Sequence, residues 1–113
     1  MFCVLLGKPK FIGKVKTKYH AEIGKAVKLR CPVTGTEDPK HNKTLVAWKY
    51  RGTFIVSSLQ KWSRFHIKPG KWLKIVFVNG SDAGVYKCSA HNGNGKIEIN
   101  INLFVRGKYR FCF

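Results

Sequence analysis

Nucleophilic, acid–base and metal chemistry draw on a short list of side chains, and in this chain that list is sparse. The 113 residues hold four cysteines (Cys3, Cys31, Cys88, Cys112), four histidines and only five acids. No CxxC pair occurs, and no Cys/His cluster has the spacing of a zinc site. His20, His41, His66 and His91 are scattered, none in a recognisable relation to a carboxylate or a nucleophile. Five acids leave almost nothing from which to build a paired-carboxylate site. No glycine-rich phosphate loop is present. The chain therefore reads as a non-enzyme that needs no metal or cofactor.

The chemistry that remains is charge. Twenty-two Lys and Arg against five Asp and Glu give a formal charge of +17. Such a surface draws polyanions toward it and speeds their encounter. Nucleic acid, anionic lipid and sulfated glycan are the candidates, and the plain alternative is a lysine bias that keeps a small domain soluble. Lys14, Lys16 and Lys18 alternate with Val15 and Thr17, so an extended strand would put their ammonium groups on one face, with Lys10 and Lys8 continuing the row. A spaced line of cations can neutralise successive sulfates of heparan sulfate and release counterions. It can equally be a solvated edge whose lysines deter strand pairing. Lys68, Lys71 and Lys74 form a second, thinner patch. Nucleic acid is not the expected partner, because most aromatics fall on core-facing positions instead of interleaving with the cations. Asn42-Lys43-Thr44 and Asn79-Gly80-Ser81 are N-glycosylation sequons at expected turns, and the tighter corner at Asn79 favours Asn42.

The elements that must position these groups have a period of two almost throughout. The pattern predicts strands over Phe11–Lys18, Val27–Cys31, Thr44–Tyr50, Thr53–Val56, Ser63–Ile67, Trp72–Val78, Val85–His91 and Lys96–Val105. Turn residues separate them, including Pro69-Gly70 and an Asn92-Gly93-Asn94-Gly95 hairpin expected to use positive φ. Val27, Leu29 and Cys31 alternate with Ala26, Lys28 and Arg30, the signature of a sheet buried on one side only. Leu73, Ile75 and Phe77 are expected to point inward together. No helix and no repeat emerges. Short alternating strands divided by turns mean an all-β sandwich of two antiparallel sheets.

Three residues narrow the class. Cys31 sits in one strand, Trp48 in the next long one, and Cys88 closes Asp82-Ala83-Gly84-Val85-Tyr86-Lys87-Cys88. This is the cysteine–tryptophan–cysteine order of the immunoglobulin fold, in which a disulfide joins the sheets and the indole packs on it. Closing so long a loop restricts the unfolded chain by about 4 kcal/mol, and the bridge implies an oxidising compartment. Tyr86, two residues before Cys88, occupies the position of a tyrosine corner. Asp82 at the same corner is expected to pair with Arg64.

At these residues the chain resembles an I-set immunoglobulin domain, and more narrowly the first immunoglobulin domain of fibroblast growth factor receptor-like proteins. The likeness is carried by Gly24-Lys25-Ala26-Val27-Lys28-Leu29-Arg30-Cys31-Pro32-Val33, Trp62-Ser63-Arg64-Phe65, Leu73-Lys74-Ile75 and Asp82 through Asn92-Gly93. The Asp-x-Gly-x-Tyr-x-Cys segment is common to immunoglobulin domains at large; the Cys-Pro-Val and Trp-Ser-Arg-Phe segments discriminate more. The resemblance implies a piece of a single-pass receptor ectodomain, on the outer face of the cell or secreted, that meets heparan sulfate, a growth factor or another immunoglobulin domain. In that family the growth factor is held chiefly by later domains. An adhesion domain contacting other proteins is the alternative.

The expected layout is a tail or signal remnant at 1–8, the immunoglobulin-like domain at 9–105 and a basic tail at 106–113. Residues 1–7 are apolar but too short for a signal peptide or a membrane span, so any anchor is expected outside this chain. The last eight residues depart from the expected interdomain linker, which points to a fragment or a truncated gene model. Trp62 and Trp72 read either as partner contacts or as covers of the core's edge. Cys3 and Cys112 are not expected to pair, since the two ends of such a sandwich lie apart.

Overall fold

The computed structural model describes residues 8–34 and 44–107. It contains eight strands: β1 Lys18–Glu22, β2 Val27–Arg30, β3 Leu45–Tyr50, β4 Thr53–Phe54, β5 Phe65–Lys68, β6 Trp72–Ile75, β7 Gly84–Asn92 and β8 Gly95–Arg106. They form a five-stranded sheet in the order β1-β8-β7-β3-β4 and a three-stranded sheet in the order β2-β6-β5. Every pairing is antiparallel except β1 with β8, which run parallel. This is the all-β, two-sheet sandwich that the alternation predicts.

The alternation becomes burial directly. Trp48 and Tyr50 of β3, Tyr86, Cys88 and Ala90 of β7, and Ile101 and Leu103 of β8 turn inward from the larger sheet; Leu29, Phe65, Leu73 and Ile75 meet them from the smaller one. Each fully buried side chain of this size contributes roughly 1.5–3 kcal/mol. Cys31, just past β2, and Cys88, in β7, are joined across the sheets with Cα atoms 6.6 Å apart. Trp48 lies directly opposite Cys88 in the β3–β7 ladder, so its indole is set beside the bridge.

Three local expectations are corrected. The first strand is not Phe11–Lys18. Phe11 makes a single bridge to Val33 on the small-sheet side, Gly13 turns the chain at φ 69°, and pairing resumes at Lys18 beside β8. The glycine breaks the extended run and lets one segment close both sheet edges. The strand after Pro69-Gly70 stops at Ile75, where a bend at 76–77 reverses the parity: Val78 takes the inward place and Phe77 is exposed. The strand expected over Thr53–Val56 is only Thr53–Phe54. In the Asn92-Gly93-Asn94-Gly95 hairpin the expected positive φ is found at Gly95, 156°, and not at Gly93 or Asn94. The Asn94 N–H instead donates to Asn92 Oδ1 at 2.8 Å, an Asx turn.

Candidate functional site

The corner leading into β7 is densely hydrogen-bonded. Gly80–Asp82 form a short 3-10 turn, which points the Asp82 carboxylate back into the sandwich. Arg64 Nη1 and Nη2 donate to Asp82 Oδ2 and Oδ1 at 2.8 and 2.9 Å. This bidentate fork is the strongest arrangement for such a pair. The Asn79 N–H donates to Asp82 Oδ2 at 2.7 Å, and Arg64 also donates to the Phe77 carbonyl. The hydrogen bond to Asp82 raises the Arg64 pKa, so the guanidinium holds its charge.

Tyr86 Oη donates to the Asp82 carbonyl at 2.6 Å, and Tyr50, stacked on Tyr86 at 4.5 Å between centroids, donates to the carbonyls of Ser81 and Ala83. Burial, then the Asp82 carboxylate, pushes the Tyr86 phenol well above its ordinary range. Gly84 is required here: its φ is 135°, and a Cβ would stand 3.2 Å from Tyr50 Cε1. All these groups satisfy one another, so the corner is a clamp and not a reactive centre.

Cations define the rest of the surface. On the outer face of the three-stranded sheet, Lys28, Lys74 and His66 form one cross-strand row, and Arg30, Trp72 and Lys68 form the next. Strand geometry sets neighbours in a row about 5 Å apart and the two rows about 7 Å apart. Lys28 Nζ sits 4.7 Å from the Trp72 ring centroid. Trp72 thus stands half-buried on the solvent side of its sheet among cations, whereas Trp62 is buried and meets Phe65 edge-on at 5.1 Å. Lys71 follows in the turn into β6. None of the described acids lies on this face: Glu22 pairs with Arg106, Asp82 with Arg64 and Glu98 with Lys96. Like charges placed directly opposite on neighbouring strands are destabilising.

The lysine row near the N-terminus is built differently. Lys10, Lys14, Lys16 and Lys18 are all exposed, but only Lys18 belongs to a strand. Lys16 Nζ leans over the Tyr19 ring at 4.6 Å. The row crosses from Lys10, bonded to Thr34 beyond β2, to Lys18 beside β8, without a regular ladder to space its charges. Lys28 and Arg30 were visible in the sequence only as the charged side of one strand; what places them beside Lys74 and Lys68 is the non-local pairing of β2 with β6. Asn79 is half-buried in the tight corner. Asn42, Cys3, Cys112 and His41 lie outside the described residues. Among the described residues, no three His, Cys, Asp or Glu side chains gather to hold a metal ion.

With this geometry in place, comparison with known proteins is informative. Residues 9–105 match the immunoglobulin I-set domain family. Human fibroblast growth factor receptor-like 1 is 40% identical over 99 residues, covering 88% of this chain and 18% of that protein. Human matrix-remodeling-associated protein 5 is 31% identical over 98 residues, covering 87% of this chain and 3% of that protein. Among solved structures, Sidekick-1 immunoglobulin domains 1–5 superpose with TM-score 0.72 at 25% identity, over 89% of this chain and 20% of that one. The immunoglobulin complex of titin M10 with obscurin like 1 gives TM-score 0.71 at 23% identity, over 91% of this chain and 98% of that one. The chain spans less than a fifth of the receptor-like relatives it matches.

Proposed function

The chain belongs to the immunoglobulin I-set family, and from that premise we propose that it is an extracellular binding module of a fibroblast growth factor receptor-like cell-surface receptor, with a basic face that engages heparan sulfate. The receptor part of the reading is supported by 40% identity to fibroblast growth factor receptor-like 1 along most of the chain. The Cys31–Cys88 bridge supports an oxidising, extracellular setting.

One observation carries the glycan part: the outer face of the β2-β6-β5 sheet sets Lys28, Arg30, Lys68 and Lys74 around Trp72 with no described acid among them. Two parallel rows of cations on a rigid sheet offer a sulfated chain several contacts at fixed spacing. The Trp72 ring supplies an apolar surface for a sugar between them. Lys10, Lys14, Lys16 and Lys18 raise the local anion concentration without a comparable lattice. Asn42, in its polar loop, is the proposed N-glycan site ahead of Asn79.

The test is retention on heparin compared with a sulfonate cation exchanger at matched ionic strength. The proposal expects elution from heparin at distinctly higher salt. Equal elution from both columns means that the net charge acts alone and the glycan reading fails.

A further inference from the structure

The outer face of the five-stranded sheet carries a separate feature that sulfated glycan does not account for. Lys49 of β3 lies directly opposite Lys87 of β7, Lys87 opposite Asn100 of β8, and Lys49 opposite Phe54 of β4. Lys49, Lys87 and Asn100 line a concavity of about 310 Å³ together with Arg51, Gly52 and Val85. Arg51 is the only described non-glycine residue with positive φ, 52°. Gly52 beside it has φ 76°, and positive φ at both central residues is what a two-residue hairpin turn requires. Arg51 sits in the two-residue turn joining β3 to β4, at the mouth of the concavity.

Lys49 and Lys87 therefore face one hollow with Arg51 at its rim, the Arg51 guanidinium lying 5.2 Å from the Tyr50 ring centroid, and none of the three has a described carboxylate within ion-pair distance. The two acids that share this sheet face are already engaged, Glu22 by Arg106 at 3.7 Å and Glu98 by Lys96 at 3.4 Å. Lys49 Nζ is drawn 4.4 Å from the Phe54 ring centroid, the direction that takes it away from Lys87.

The same face exposes large apolar side chains: Leu45, Phe54, Val85 and Phe104 are between 48% and 61% exposed. His20 lies stacked on Phe104 at 5.0 Å. Exposed apolar groups gathered around unneutralised charge mark a protein contact more than a polysaccharide one, because interface cores are aromatic and aliphatic with a few placed charges. A second copy of the chain does not fit: each copy carries +17, and stacking this face on itself would bring lysines against lysines.

We propose that this face docks an acidic protein surface, seating a carboxylate between Lys49 and Lys87, beside the Arg51 turn, while Phe54 and Val85 cover its apolar flank. The contact lies on the sheet opposite the cation lattice assigned to heparan sulfate and does not depend on it.

The experiment titrates the isotope-labelled full chain by NMR with a blocked peptide, acetyl-Gly-Glu-Tyr-Glu-Tyr-Glu-Gly-amide, and with its Gln counterpart. The expected result is amide shifts centred on Lys49, Arg51, Phe54, Val85, Lys87 and Asn100, with at least tenfold weaker binding of the Gln peptide. Lys87→Glu should weaken the Glu peptide at least tenfold while raising Tm, since it exchanges a like-charge cross-strand pair for an attractive one. That rise in Tm also shows that lost binding is not lost folding. The proposal is overturned if the shifts centre on Lys28, Lys74 and Trp72, if both peptides bind alike, or if Lys87→Glu binds as the wild type does. It is also overturned if a heparin hexasaccharide perturbs Lys49, Arg51 and Lys87 as strongly as the Glu peptide.

Discussion

Asp82 is nearly enclosed, with its side chain 6% exposed, while its partner Arg64 keeps 31%. Removing the guanidinium leaves a buried carboxylate that still accepts from the Asn79 N–H. Because Arg64 is partly solvated, the loss is smaller than for a fully buried pair. Arg64→Gln should cost about 1–3 kcal/mol in urea denaturation. Tyr86 offers a check through pH. Its phenol is held protonated in the folded state above its ordinary value of 10. Above about pH 10 the unfolded chain therefore binds fewer protons than the folded one, and stability falls as pH rises. Tyr86→Phe should cost about 1 kcal/mol at neutral pH by losing the bond to the Asp82 carbonyl, and should flatten the alkaline decline. An unchanged alkaline slope would remove Tyr86 as its source. The proximity of Arg64 and Asp82 was readable from their positions at one corner. The Tyr50 bonds to Ser81 and Ala83 were not, because Tyr50 reads in sequence only as one more inward aromatic.

At the scale of strands, Val27–Cys31, Thr44–Tyr50, Val85–His91 and Lys96–Val105 were legible because strict alternation and one-sided burial are the same fact seen twice. Phe11–Lys18 was not. Its alternating lysines imitate a strand, while the break at Gly13 and the choice of β8 as partner depend on contacts almost a whole chain away. Phe77 was misplaced for a similar reason: a bend at 76–77 carries no composition cue, and the reversal of parity shows only once Val78 is seen fastened to Gly24 and Lys25. Gly84 makes a sharper test of the element account. Gly84→Ala places a Cβ against Tyr50 at a φ that L-residues avoid, and should destabilise the fold by about 1–3 kcal/mol. On the three-stranded sheet, exchanging Lys28 and Lys74 for Gln removes a like-charge cross-strand pair. The free domain should become slightly more stable, by roughly 0.2–1 kcal/mol, by thermal melting.

For the molecule as a whole, two opposing quantities meet: a bridged core and a net charge of +17. The 57-residue separation of Cys31 and Cys88 makes the bridge worth about 4 kcal/mol in the chain-entropy view. That is a large part of the stability of an ordinary domain. Self-repulsion works against it, so Tm should rise as salt is added from low ionic strength and level off as the charges are screened. The charge also divides between surfaces of different character, a cation lattice on one sheet and a cation-rimmed hollow among apolar side chains on the other. Composition announced the excess, but its partition needed the strand order. The most direct test of the glycan assignment compares two variants of equal net charge, Lys28→Gln/Lys74→Gln and Lys14→Gln/Lys16→Gln, in heparin affinity across a salt series. The account predicts that the sheet variant loses clearly more affinity and that its log–log salt slope drops by roughly one per removed contact, about two in all. Equal losses from the two variants would contradict it.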